Sequence, residues 1–193
     1  MLPRARYLTY VKAGRRSSLD TSISSLESIM YKRILVPVDG SQTSNRALVA
    51  ALQMARDAGG SIRLIHVIEE LAQVIAYDPY GAYPGDLSKI MRENGQQILG
   101  KALDIARSAG ISADQRLVEA AGQRLAEAVN KEAAAYGADL IVLGTHGRRG
   151  IGRVLLGSGA EQIIRSALVP VLVIRADEDN PIEAPVAKQL ATA

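Results

Sequence analysis

The chain has 193 residues and no cysteine, which suits one domain with a substantial core and excludes disulfides, thiolate metal sites and cysteine nucleophiles. Its formal charge of +3 belongs to residues 1–30, because residues 31–193 carry 18 basic and 18 acidic groups. Without a basic folded part or an apolar stretch of roughly 20 residues, we expect a soluble cytoplasmic protein that binds neither nucleic acid nor membrane.

The first 30 residues differ from the rest of the chain in composition. They hold five basic residues against two acidic ones, contain a serine cluster and show no sustained hydrophobic period. They also lack the apolar core of roughly 7–15 residues that a secretory signal needs. We expect residues 1–30 to be a disordered N-terminal extension, either a leader or sequence upstream of a second start at Met30, with a targeting peptide rich in Arg and Ser as the alternative. The polar residues 176–193 are expected to form a disordered tail.

The segments that follow the N-terminal extension alternate between a strand-like and a helical hydrophobic period. Residues 33–38 and 61–68 are apolar runs typical of buried strands, and residues 43–59 between them repeat apolar side chains at helical spacing. Residues 69–85 interrupt this order with two prolines, two glycines and three tyrosines. Such long loops in compact domains are functional or disordered. We expect disorder in the absence of a partner, with a lid over a ligand or a surface for an unknown protein client as alternatives.

The second half of the chain continues the alternation. Its predicted helices cover residues 86–109, 122–137 and 158–167, and its predicted strands cover residues 114–120, 138–144 and 170–174. Five strands that alternate with four helices predict an α/β fold. We expect a single doubly wound, five-stranded parallel sheet with right-handed crossovers and helices on both faces. This domain would span residues 31–175.

A glycine-rich segment links the fourth strand to the fourth helix. Five glycines occur within residues 144–157, directly after a run of aliphatic residues. Ligands of open parallel sheets bind beyond the carboxyl ends of the strands. Glycines there let main-chain N–H groups approach a phosphate, and the following helix presents further unpaired N–H groups. The segment therefore predicts a phosphate-binding loop.

Two common phosphate loops do not fit this segment. A Walker loop requires a lysine after its last glycine, and no lysine occurs between residues 140 and 165. The dinucleotide fingerprint G-x-G-x-x-G fits no register of the segment and usually follows the first strand. The pattern that fits is Gly144-x2-Gly147-x9-Gly157-Ser158.

That pattern resembles the nucleotide loop of the universal stress protein family. The resemblance covers residues 31–174 and includes "YKRILVPVDGSQTSNRAL", "LIHVI", "GTHGRRG", "LLGSGAEQIIR" and "VPVLVI" in the order and spacing of the family. It implies the strand order 3-2-1-4-5 and an ATP site between strands 1 and 4. Gly159 departs from the commonest pattern, since many members have a small β-branched residue or alanine there, and we expect it to loosen the first helical turn.

Carried over position by position, the resemblance implies the groups that would hold ATP. Asp39 would hold the ribose hydroxyls, although Asp39-Gly40-Ser41 also fits a plain turn with a helix cap. Main-chain groups near Pro37, Val38 and Val67 would receive the adenine. The residues implied at the phosphates are Gly144, His146, Gly147, Gly157, Ser158 and Gly159. Mg²⁺ would be held through the phosphates, with Asp39 as a possible help in positioning it.

The roles of several other side chains stay open at this point. His66 lies in an apolar strand, where a packed core histidine is favoured over a catalyst. His146 fits either phosphate contact or exposure to solvent. Three arginines either neutralise the polyphosphate or face solvent, namely Arg148, Arg149 and Arg153.

The resemblance implies an ATP-binding regulator of the stress response with at most slow ATP hydrolysis, and the sequence lacks the marks of a well-equipped hydrolase. A nucleotide-free scaffold of the same fold is one alternative. Another is a nucleotidyl-transferring or ATP-hydrolysing enzyme, but its Ser-Gly-Gly-x-Asp-Ser or His-x-Gly-His signature does not occur near the first strand. The resemblance also implies a homodimer through Val171–Ile174, which would cover an exposed sheet edge.

Overall fold

A computed structural model of the protein describes residues 31–68, 84–120, 122–145 and 157–175. Five strands alternate with four helices in this part of the chain. The strands are β1 (Arg33–Pro37), β2 (Ser61–Ile68), β3 (Ser112–Glu119), β4 (Leu140–Gly144) and β5 (Val171–Ile174). The helices are α1 (Gln42–Ala58), α2 (Pro84–Ser108), α3 (Leu125–Tyr136) and α4 (Ser158–Ser166). The predicted N-terminal extension and tail lie outside the described residues. Residues 69–83 of the predicted loop also lie outside them.

The strands form one parallel sheet in the order β3-β2-β1-β4-β5, which confirms the predicted α/β fold and strand order. Strands β1 and β4 are sheet neighbours although two strands lie between them in the chain. The strand order therefore reverses between β1 and β4, and a crevice opens at their carboxyl ends. This is where the sequence predicts the ligand.

Each face of the sheet has its own core. Side chains of successive strand residues point to opposite faces, so Ile34 and Val36 pack with α1 and α2, whereas Leu35 packs with α3 and α4. Burial on both faces explains why β1 and β4 are almost purely apolar. Within the described ranges, no helix combines the length and apolarity needed to cross a membrane.

Four elements begin two or three residues away from the predicted position, among them α2 at Pro84 rather than residue 86 and β4 at Leu140 rather than residue 138. Helix α3 begins at Leu125 rather than at residue 122, because Gly122 has a φ of 82° and the Gln123 N–H donates to the Ala120 carbonyl in a turn. Strand β3 begins at Ser112 rather than at residue 114. Alternate side chains of β3 are exposed at the edge of the sheet, which weakens the apolar signal of this strand.

The two edge strands, β3 and β5, differ in the charged side chains that would prevent pairing with another chain. Strand β3 carries charge, since Asp114 accepts two hydrogen bonds from Arg63 and Glu119 accepts two from Arg92. The hydrogen bond from Arg92 lowers the pKa of the Glu119 carboxyl, and charged side chains of this kind protect an edge from pairing with another chain. Strand β5 consists of Val-Leu-Val-Ile and has no charged side chain.

Candidate functional site

The two sequence segments assigned to one site converge in the structure. Strand β1 pairs with β4 through Ile34–Leu140 and Leu35–Ile141. Because the two strands are parallel, their carboxyl ends meet at the same edge of the sheet. The turn after β1 and the glycine-rich segment after β4 therefore start side by side.

The turn after β1 fixes the position of the Asp39 carboxylate. Its Oδ1 accepts the Ser41 N–H at 2.9 Å, and Gly40 has a φ of 78° that favours glycine. Ser41 caps α1 by accepting the Ser44 N–H at 3.2 Å. The interpretation as a turn with a helix cap is thus observed. It is compatible with ribose binding, because a carboxylate offers about four acceptor positions.

Gly144 allows a close approach between β4 and the first turn of α1. A Cβ atom on Gly144 would lie 2.7 Å from the carbonyl carbon of Thr43 and 2.9 Å from its Cβ. Contacts that short do not occur, so any larger residue would push α1 away from the sheet. The structure thus gives this glycine a packing role besides the phosphate contact that the resemblance implies.

The ends of the glycine-rich segment are joined to each other and to β5. The Thr145 N–H donates to the Ile174 carbonyl at 2.9 Å, and the Gly157 N–H donates to the Thr145 carbonyl at 2.7 Å. These two bonds hold the start of α4 against the end of β4. His146 and Gly147 lie outside the described residues, and so do the three arginines of the segment.

Helix α4 begins at the same place, and its first N–H groups lack acceptors within the helix. Its first turn starts at the exposed Ser158, and its first intrahelical bond runs from the Glu161 N–H to the Gly157 carbonyl. The N–H groups before Glu161 have no acceptor within the helix, and the helix dipole makes this end attractive for an anion. A Cβ on Gly159 would lie 2.6 Å from Cδ2 of Leu125, so the glycine also fits a close contact with α3.

The main chain of Val67 faces the gap beyond the end of β1. The pairing of β1 with β2 ends at Pro37–Ile65, whereas β2 continues beside β3 as far as Ile68. The Ile65 carbonyl accepts the Val38 N–H on the β1 side. Since main-chain groups of successive strand residues point to opposite sides, Val67 also faces the β1 side, where β1 has ended. Its N–H and C=O are thus placed as a donor and acceptor pair toward the crevice.

The other two residues implied at the adenine contribute less. Pro37 has no N–H to donate. Val38 uses both main-chain groups within the protein, since its N–H donates to Ile65 and its carbonyl lies 2.7 Å from Nδ1 of His66. Of the three residues, Val67 therefore offers the most to a base.

His66 is packed inside the protein, as the sequence analysis favoured, and it also makes a main-chain hydrogen bond that the sequence did not predict. Its half-buried ring lies between Gly95 of α2 and the Val38 carbonyl, because a Cβ on Gly95 would lie 2.8 Å from Cδ2 of the ring. The available signal was a polar residue near the carboxyl end of a strand that is otherwise apolar after Arg63.

The crevice thus combines a carboxylate, a main-chain donor and acceptor pair, and the N–H groups of a helix start that have no acceptor within the helix. These groups suit, respectively, a diol, a flat base and an anion. Among residues 31–68, 84–120, 122–145 and 157–175, no three His, Asp or Glu side chains are grouped to hold a metal ion.

Known proteins provide an independent comparison. The sequence matches the Universal stress protein family over residues 30–175. A universal stress protein of Methanocaldococcus jannaschii is 32% identical over 152 residues, which make up 76% of this chain and 83% of that protein. A solved structure from this family, from Burkholderia pseudomallei, has 36% identity and a TM-score of 0.62, and the match covers 77% of this chain and 98% of that one.

A second solved structure is a universal stress protein in complex with cAMP. It is 26% identical, with a TM-score of 0.53, and the match covers 76% of this chain and 98% of that one. The family match extends over well more than half of the sequence, and it includes every strand and helix described above. The chain therefore belongs to the universal stress protein family.

Proposed function

We propose that the protein is an ATP-binding regulator of the stress response whose surface changes with the nucleotide it holds. The observation that carries this proposal is the bond between Gly157 and Thr145, which sets the start of α4 beside the end of β4. Asp39 and Val67 lie at the same edge of the sheet, so one ligand can reach all of these groups. A family member of 26% identity in complex with cAMP supports an adenine nucleotide as this ligand.

Each part of ATP has a chemically matched group. The N–H and C=O of Val67 match the ring nitrogen and the 6-amino group of adenine, and Asp39 matches the ribose diol. The phosphates fall to Gly144, His146, Gly147, Gly157, Ser158 and Gly159, with Mg²⁺ held through the phosphates. Hydrogen bonds to charged groups contribute about 1.5–3 kcal/mol each. Three or four of them, with burial of adenine, supply the roughly 8 kcal/mol of a micromolar complex after ordering costs.

We further propose that ATP hydrolysis is slow. The glycine-rich segment has no lysine comparable to that of a Walker loop. A nucleotide that is retained and turned over slowly suits a regulator, because its occupancy then reports the supply of nucleotide.

The active form is proposed to be a homodimer paired through β5. The Ile141 N–H donates to Pro170 and the Thr145 N–H donates to Ile174, so alternate residues of β5 face β4. The main-chain groups of Val171 and Val173 consequently face the open edge. Antiparallel pairing with a second copy about a two-fold axis would satisfy them.

Titration calorimetry with ATP, ADP, AMP and cAMP tests the nucleotide proposal. We expect ATP to bind with a dissociation constant in the micromolar range, and affinity to fall from ATP to AMP because phosphate contacts are lost. A nucleotide-free scaffold would give no heat with any of the four. Rapid release of phosphate from ATP would instead indicate a hydrolytic enzyme.

A further inference from the structure

The parallel ladder between β1 and β2 ends one hydrogen bond earlier than the positions of the two strands would allow. After the bond from the Val38 N–H to the Ile65 carbonyl, a regular parallel ladder would next join the Val67 N–H to the Val38 carbonyl. The residue pairing nevertheless ends at Pro37–Ile65. The Val38 carbonyl instead lies 2.7 Å from Nδ1 of His66.

The chemistry of this contact fixes the direction of the hydrogen bond. A carbonyl oxygen only accepts, so Nδ1 of His66 carries the hydrogen and donates it to Val38. The distance is that of a well-formed hydrogen bond. A side chain of β2 thus bonds to the oxygen that the Val67 N–H would meet in a regular ladder.

The ring lies close to Gly95 of α2. A Cβ on Gly95 would lie 2.6 Å from Cδ1 of Leu117 and 2.8 Å from Cδ2 of His66. The glycine in the middle of α2 therefore provides the room in which the imidazole sits. Glycine is unfavourable within a helix, so its presence here suits a ring that must be accommodated.

We propose that His66 is a positioning residue that keeps the base-binding gap between the ends of β1 and β2 open. By bonding to the Val38 carbonyl, the imidazole competes with the Val67 N–H for this oxygen and holds it in a position where the ladder does not close onto Val67. The Val67 N–H then remains available to the ring nitrogen of adenine. This inference rests on the proposed function, because it assigns the gap to a base.

Two substitutions distinguish the effect of the hydrogen bond from the effect of the size of the ring. His66→Leu keeps an apolar side chain of similar size and removes the donor. His66→Asn places a carboxamide N–H close to the position of Nδ1 and so retains the donor. Hydrogen exchange of the Val67 amide, measured by NMR in nucleotide-free protein, reports directly whether the ladder has closed.

We expect His66→Leu to slow exchange of the Val67 amide and to weaken ATP binding, each by about tenfold, as the loss of one hydrogen bond to the ligand implies. His66→Asn should restore both quantities toward their wild-type values. Unchanged ATP affinity in His66→Leu would overturn the inference. So would weaker binding with unchanged Val67 exchange and no rescue by asparagine, since that result would reflect packing alone.

The outcome for the proposed function can be read separately. If the wild-type protein binds no nucleotide, the proposed function fails irrespective of His66. The exchange measurement still decides whether His66 holds the ladder open, because it is made without nucleotide.

Discussion

The N–H of Gly157 donates to the carbonyl oxygen of Thr145 at 2.7 Å, so the chain leaves β4 and enters α4 at one point of the sheet. This point lies at the carboxyl end of β4, next to β1, where the strand order reverses. An anion bound by the first turn of α4 would consequently lie within the same crevice as Asp39. The connection between strand and helix, rather than the glycine count, makes a phosphate site physically reasonable.

The first prediction concerns the glycine-rich segment. Replacing Gly147 with valine should weaken ATP binding at least tenfold, because a β-branched side chain would obstruct the approach of main-chain N–H groups to the phosphates. Titration calorimetry measures the affinity, and circular dichroism checks that the fold persists. Adenosine serves as the control ligand, since it has no phosphate and should bind both proteins equally. Equal ATP affinity in the two proteins would refute the assignment of this segment.

The second prediction concerns the ribose. Asp39→Asn retains the Oδ1 acceptor for the Ser41 N–H but removes the negative charge. We expect ATP affinity to fall about tenfold, in line with the loss of about 1.5 kcal/mol from a hydrogen bond to a charged group. Binding of 2′,3′-dideoxy-ATP, which lacks the diol, should be the same in both proteins. A parallel loss for the dideoxy nucleotide would show that Asp39 does not contact the ribose.

The fold could be predicted from the sequence because its signals are local. Strand β1 is apolar after Arg33, since Ile34 and Leu35 are buried on opposite faces of the sheet. The start of β3 was missed because Ser112 lies on an edge strand, where burial no longer selects apolar side chains. The start of α3 was missed because the turn at Gly122 interrupts an alanine-rich helical pattern that seemed continuous in sequence.

The site was only partly predictable because its details depend on contacts between distant segments. The family resemblance implies that Asp39 and Gly144 belong to one site, but no sequence feature indicated that Thr43 packs against Gly144. The bond from His66 to Val38 depends on where β1 ends relative to β2, and no local pattern encodes that difference. The sequence therefore suggested which residues lie near the crevice, whereas the contacts that each of them makes depend on the packing of distant segments.

The third prediction uses two glycines of α2 as a matched pair. A Cβ on Gly100 would meet no atom within 4 Å. Gly100→Ala should therefore stabilise the protein by about 0.5–1 kcal/mol through helix propensity and leave ATP binding unchanged. Thermal denaturation and calorimetry measure the two quantities.

Gly95→Ala should behave differently in the same helix. Its Cβ would lie 2.8 Å from the ring of His66, so the gain in helix propensity is opposed by a steric clash and the ring must shift. We expect no net gain in stability and weaker ATP binding than in Gly100→Ala. An equal gain in stability for both variants, with equal ATP affinity, would show that the ring of His66 has room to spare.

The fourth prediction concerns the dimer, and burial decides which residue to change. Val171 and Val173 are only 4% and 8% exposed within one chain, so lysine at either position would disrupt the core as well as any interface. Leu168, three residues before β5, is 84% exposed and can be changed without that cost. Large exposed apolar side chains beside an unguarded strand edge are typical of an interface.

Leu168→Lys should shift the protein from dimer to monomer in sedimentation velocity, because two copies paired through β5 would bring the new charges toward one another or bury them. Ile105→Lys is the matched control, since Ile105 is a 41% exposed residue on α2 and lies away from β5. It should leave the mass unchanged. If Leu168→Lys remains dimeric while Ile105→Lys becomes monomeric, copies pair through α2. A wild-type protein that is already monomeric would leave the edge of β5 unpaired and would rule out the dimer.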